Sequence, residues 1–207
     1  MSQKFSTQYV LPAYQDETLE AWQVLCEYID ELARTGAPDF WPGKHIGWDH
    51  FRQIHKLPAS IAKLKEVKRV ILYGTQLRRP PTEVGEMESI EDFDIYTSYQ
   101  INWLLFEISR CKKLKESTMS IRTLYGNYKT NLRFPSLEDQ QVYDEGKVTR
   151  RSICNEEITD APLDQYWLTL RIGNDDAPLL VTVCSQSCYF ELPSSSIGYY
   201  SGSHKGF

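Results

Sequence analysis

Three of the five cysteines, Cys154, Cys184 and Cys188, stand close to two β-rich runs, YWLTLRI and APLLVTV, which the residues GNDD separate. A cysteine sulfur can serve as a metal ligand or, when a base activates it, as a nucleophile. The spacing favours the ligand role. Cys154 precedes the two runs, Cys184 and Cys188 follow them directly, and no histidine or acid stands in a diagnostic arrangement beside any cysteine. Cys26 and Cys111 fall on apolar stripes and are expected in the core. An odd number of cysteines suits free thiols or a metal site in an intracellular chain better than a full disulfide framework.

Elements must bring these sulfurs together. Gly173 and Asn174 tolerate the positive φ of a tight turn, so the two runs predict a β-hairpin. Cysteines on both sides of a hairpin resemble a treble-clef zinc module, in which a C-x-x-C knuckle, a hairpin and two cysteines at the first helical turn supply four ligands. The resemblance implies Cys154, Cys184 and Cys188 as metal ligands, with zinc as the sole cofactor. The position three before Cys154 is Arg151, so one thiolate of the knuckle is missing. Either another residue such as His204 completes the set, or the metal has been lost and the hairpin stands on packing.

Composition sets the wider frame. With 207 residues, 41% hydrophobic and 25% charged, the chain can bury one substantial core or two small ones. A formal charge of -5 provides no uniform basic field, which argues against a nucleic-acid partner. No stretch resembles a membrane span, and the start MSQKFSTQYVLPAYQDE lacks the apolar core of a signal peptide. The expected location is cytoplasmic, without membrane contact.

The stretch 57–77, LPASIAKLKEVKRVILYGTQL, carries an apolar order that recurs. Adding 23 takes Ile61, Leu64, Val67, Val70 and Leu72 to Val84, Met87, Ile90, Phe93 and Ile95. Adding 47 takes Ile61, Leu64, Val67, Leu72 and Leu77 to Ile108, Cys111, Leu114, Met119 and Leu124. A period of this length is the signature of a repeat architecture. The order resembles the leucine-rich repeat family, whose pattern is visible as Leu57-Pro58, Ile61, Leu64, Val67, Val70, Leu72, Thr75 and Leu77. The usual asparagine is replaced by Thr75, Ser98 and Arg122, so hydroxyls are expected to take over its backbone bonds in the first two copies.

The resemblance implies an α/β fold: a short solenoid of about three repeats with parallel strands, and helical turns over 58–64, 81–87 and 105–111. Three repeats need caps. In ETLEAWQVLCEYIDELARTG, Leu19, Trp22, Leu25, Cys26, Ile29 and Leu32 recur at helical spacing, with Asp16 as the expected N-cap and Gly36 as the stop. WDHFRQIHKLP looks like a broken first repeat, and His45, His50 and His55 recur at a spacing that suits no metal site. The expected organisation is a helical cap over 1–56, repeats over 57–133, a linker over 134–151 and a hairpin module over 152–207.

Repeats ending in LYGNYK followed by such a module resemble small bacterial leucine-rich repeat domain-containing proteins. The class implies a protein–protein interaction module or adaptor, not an enzyme, that binds a protein partner on the concave face of its strands. Ile71, Asp94 and Thr118 form one expected row of that face, and Tyr73, Tyr96 and Ser120 the next, an aromatic pair beside an acid. Two alternatives stay open. One is nucleic-acid contact through the zinc-ribbon-like C-terminal module, and the other a bacterial effector enzyme of ubiquitin-ligase type.

Overall fold

The computed structural model describes residues 14–121, 125, 132–138, 150–157 and 164–206. Helix α1 (Glu20–Thr35) forms where the apolar spacing demands it and buries Trp22, Leu25, Ile29 and Leu32 together with Ala21 and Tyr28. Gly36 ends it in the left-handed region at φ 68°, its N–H bonded to the Leu32 carbonyl. Its start corrects the sequence expectation. Leu19 holds the N-cap position without a side-chain bond, because the Asp16 carboxylate is engaged one turn earlier, accepting from the Thr18 N–H and hydroxyl at 2.9 and 2.7 Å.

After α1 come strand β1 (Asp39–Phe40) and two single-turn helices, α2 (Pro42–His45) and α3 (Trp48–Phe51). Three successive units then each place a 3-10 helix before a strand. Ala59–Lys63 precedes β2 (Arg69–Ile71), and Thr82–Glu86 precedes β3 (Asp92–Ile95). The third unit opens with β4 (Leu104–Leu105), then Phe106–Arg110, then β5 (Glu116–Met119). Strands β1, β2, β3 and β5 form a four-stranded parallel sheet in that order. Val70 lies beside Phe93, and Phe93 beside Ser117, so the strand pairing follows the sequence period. Ile61, Val84 and Ile108 are buried at one equivalent position, and Leu64, Met87 and Cys111 at another. The hydroxyls work as expected in the first two units: Ser98 donates to the Leu72 carbonyl at 2.9 Å, and Thr75 accepts from the Leu77 N–H at 3.1 Å. Arg122 and Leu124 lie outside the described residues, as does much of the expected linker.

The expected hairpin is β6 (Asp164–Ile172) and β7 (Asp175–Val183), paired antiparallel along their whole length. β4 pairs parallel with β7, giving a second sheet in the order β4-β7-β6 and making β7 its central strand. That position explains why APLLVTV reads as an almost unbroken apolar run rather than alternating. A five-residue helix, α4 (Gln186–Phe190), follows. The fold is therefore mixed α/β with a parallel sheet and a smaller mixed one. Trp167 at the centre is fully buried, with Trp103 edge-on at 5.3 Å and Phe134 at 5.6 Å, and its indole N–H donates to the Pro135 carbonyl.

The turn of the hairpin meets the open edge of the parallel sheet. Asn174 Oδ1 accepts from the Ser117 N–H at 2.8 Å, and Asp175 Oδ2 accepts from the Met119 N–H at 3.1 Å. The Ser117 hydroxyl contacts the Ile172 carbonyl, as donor at 2.8 Å, and accepts from the Asp175 N–H. Side chains thus stand where the next strand's carbonyls would be. The contact is close: Gly173, at φ 61°, would bring a Cβ to 2.8 Å from the Glu116 backbone. Replacing Asn174 with Ala leaves the Ser117 amide without its acceptor, so the denaturation midpoint should drop by the equivalent of about 1–3 kcal/mol. An unchanged midpoint would show that water replaces the contact at no cost.

A second tie runs through Glu107, buried to 3% exposure. Ser152 Oγ accepts from the Thr182 N–H at 3.0 Å, and its hydroxyl bonds the Glu107 carboxyl. Burial pushes the Glu107 carboxyl above the usual carboxylate range, against the smaller opposing effects of Ser152 and Arg110. Above the unfolded value near 4.5 the folded chain holds a proton that the unfolded chain has released, so stability falls as pH rises. Glu107→Gln should therefore raise the midpoint at pH 7 and flatten its decline between about pH 5 and 7. Urea titrations at the two pH values check both the sign and the slope.

Candidate functional site

Among the described residues two groups of side chains are organised enough to act. The first is the outward face of the parallel sheet. Alternation along a strand puts Ile71, Asp94 and Thr118 on this face, and the register sets them side by side. Ile71 and Asp94 are half-buried, and Thr118 is exposed. In the next row the rings of Tyr73 and Tyr96 lie 6.1 Å apart, 43% and 49% exposed. Ser120 is half-buried and occupied, since its hydroxyl accepts from the Thr97 N–H at 3.0 Å. Asp94 accepts from the Tyr96 N–H at 2.8 Å, which fixes its carboxylate beside the tyrosines.

Trp48 extends this row and was not apparent in the sequence. Its ring stands edge-on to Tyr73 at 6.4 Å and is 39% exposed. Gly43 makes room for the ring, since a Cβ there would come within 2.8 Å of it. Backbone geometry shapes the row as well. Gly74 and Thr97 hold equivalent places after the two tyrosines, and both are left-handed, at φ 65° and 57°. A β-branched residue is rare there, and the Ser120 hydroxyl on the Thr97 amide holds it in place.

Charges line the face below the aromatics. Burial first, then the neighbouring Asp94, raises the Asp92 carboxyl above its ordinary value. Lys68 and Lys115 both approach Glu91, at 3.7 and 3.6 Å, and Arg69 pairs with both oxygens of Asp39. Pairs this exposed contribute roughly 0–1 kcal/mol each. They fix the edge of the face more than its stability.

The second group is the three-thiol cluster. Cys154 Sγ lies 3.6 Å from Cys184 Sγ, which lies 3.0 Å from Cys188 Sγ, and all three sulfurs fall within 4.8 Å of one another. A tetrahedral ion with metal–sulfur bonds near 2.3 Å separates its sulfurs by about 3.8 Å, so these side chains can close on a metal with small rotations. Three elements deliver them. Cys154 sits in a turn closed by the Asn155 N–H on the Arg151 carbonyl, with Asn155 at φ 59°. Cys184 follows the end of β7. Cys188 lies on α4, whose N-cap Ser185 accepts from the Cys188 N–H at 3.3 Å.

Arg110 also escaped the sequence analysis. From the third unit's 3-10 helix it donates to the Ser152 carbonyl at 2.9 Å and to Asn155 Oδ1 at 3.1 Å, holding the Cys154 turn against the rest of the fold. The proposed completion by His204 is not found. Its backbone pairs with Trp167 and its ring packs on Phe134 at 4.7 Å, where burial pulls its pKa down to about 4. Among the described residues no histidine, aspartate or glutamate joins the three sulfurs, and His45, His50 and His55 form no metal-ligating group. Among the described residues no helix is long and apolar enough to cross a membrane. Compared with known proteins, the chain matches no protein-family model and no curated sequence.

The thiols differ in reactivity. Cys188 first and Ser185 second pull the Cys184 thiol down to about 7, with smaller help from Cys154 and Arg151. Burial pushes Cys111 up to about 11, and its thiol donates to the Val84 carbonyl. In metal-free protein, iodoacetamide should therefore modify Cys184 before Cys111, with a rate that reaches half its maximum near pH 7. Peptide mapping by mass spectrometry reads the order, and equal rates at the two sites would contradict it.

Proposed function

We propose that this chain is a short leucine-rich repeat module that binds a protein partner on the outward, concave face of its parallel strands. The observation that carries this is the row Trp48, Tyr73 and Tyr96, which leaves three large rings partly exposed beside the fixed carboxylate of Asp94. Rings of this kind offer contact area at little cost in side-chain entropy. Beside Asp92 and Asp94 they suit a segment carrying both apolar and basic side chains. The support for repeats is the sequence period of 23 together with three units of 3-10 helix and strand.

Basic residues of the C-terminal segment each have an acid nearby, which favours a protein over a nucleic acid. Arg150 approaches Glu157, Arg151 approaches Glu156, and Lys205 pairs with Asp164. The thiol cluster serves this module as a zinc clip. Helix α4 has no buried residue, and a metal held by Cys188, Cys184 and Cys154 would pin it to the end of the hairpin and to the Arg110-bound turn.

Truncation of Tyr96 to Ala tests the face. Once a partner has been captured from native lysate and purified, the variant should bind it about thirtyfold more weakly, on the order of 2 kcal/mol, with little change in melting temperature. Lys63→Ala is the control, on the side of the 3-10 helices. Equal affinities for the Tyr96 variant and the parent would rule out the aromatic row as the contact.

A further inference from the structure

We infer that Cys154, Cys184 and Cys188 form an open zinc site, whose fourth coordination position is reserved for an external small thiolate, with Arg151 as the cation that favours it. The inference rests on the zinc assignment above and is independent of the partner face.

A structural zinc takes four protein ligands, whereas a zinc with three keeps an exchangeable place. Among the described residues the donor set stops at three. Among the described residues no histidine or carboxylate comes within reach of the sulfurs, Cys111 is buried in the third unit, and His204 is committed to Trp167 and Phe134. The site also faces solvent, since Cys154 is exposed and Cys184 and Cys188 are only half-buried. An external ligand can therefore arrive without any rearrangement of the core.

Charge selects the ligand. A zinc ion with three thiolates carries one negative charge in excess, and a fourth thiolate adds a second. In a closed four-cysteine site the knuckle's other thiolate would come from position 151, three before Cys154, and that residue is arginine. Its carbonyl closes the same turn, accepting from the Asn155 N–H at 3.0 Å, so the Cys154 turn carries a cation at the position where a fourth thiolate would stand. Arg151 belongs to the same turn as Cys154, which places a cationic residue three positions from one of the three sulfurs. Its contact with Glu156, at 3.8 Å, is a loose surface pair that leaves this role open. A cation beside three thiolates offsets the charge that an anionic fourth donor brings, and a sulfur donor matches the preference of the other three.

Cobalt substitution reads the site directly. The full chain, purified with a phosphine reductant and no thiol, should bind one equivalent of zinc by elemental analysis and accept Co2+ in its place. The cobalt form should show tetrahedral visible bands and sulfur-to-cobalt charge transfer. Adding 2-mercaptoethanol should shift the visible bands and raise the charge-transfer intensity by about a third, as three sulfurs become four. Arg151→Cys should give the four-sulfur spectrum without added thiol and should not respond to it. Cys154→Ser should lower the charge transfer by about a third, a comparison that does not depend on the arginine variant folding. A parent spectrum that mercaptoethanol leaves unmoved would overturn the open position, because the chain then fills it. Failure of the parent to bind either metal would overturn the zinc assignment itself.

Discussion

The amides on the free edge of β5 decide how the rest of the molecule is arranged. A parallel sheet that stops at its last strand presents N–H groups with no acceptor, and an open edge of this kind invites pairing with another chain. Here Asn174 and Asp175 supply the missing acceptors at Ser117 and Met119. To do so the hairpin turn must lie against β5, and this placement carries β7 across to β4 and the large rings around Trp167 into the core. Buried apolar residues consequently form one cluster from α1 to β7.

The same geometry ties the thiol cluster to the sheet. Glu107 and Arg110 sit on one 3-10 helix, one reaching Ser152 and the other the Ser152 carbonyl and Asn155. The turn bearing Cys154 is thereby clamped from behind while its sulfur faces solvent. Such an arrangement presents a donor without spending core residues on it. The aromatic row, by contrast, lies on the outward face of the strands, whereas the turn bearing Cys154 is held from a 3-10 helix.

Much of this was written in the sequence in a form that periodicity reveals. The spacing of Ile61, Val84 and Ile108 marks buried positions whatever sits between them, and the GNDD turn announces itself through glycine and asparagine. The neighbouring sulfurs were legible because cysteines flank that turn. What periodicity cannot carry is pairing between distant segments. Ser117 stands at the position of Val70 and Phe93, where the period calls for an apolar residue, and it is the group that receives the hairpin. Likewise β4 lay hidden inside an apolar run, and Asp16 looked like a helix cap although Thr18 beside it competed for the same carboxylate.

Protein synthesis runs in one direction, which gives the pairing of β4 with β7 a meaning in time. Leu104 and Leu105 emerge from the ribosome seventy-five residues ahead of Leu179 and Leu180, the strand that covers them. At about 5–20 residues per second that interval lasts roughly 4–15 s, long compared with the folding of the first units. During it the nascent chain displays an uncovered apolar strand and an uncapped sheet edge together. Whatever slows the last hairpin therefore acts first on the yield of soluble chain made in the cell, while a protein that has finished folding keeps no trace of the delay.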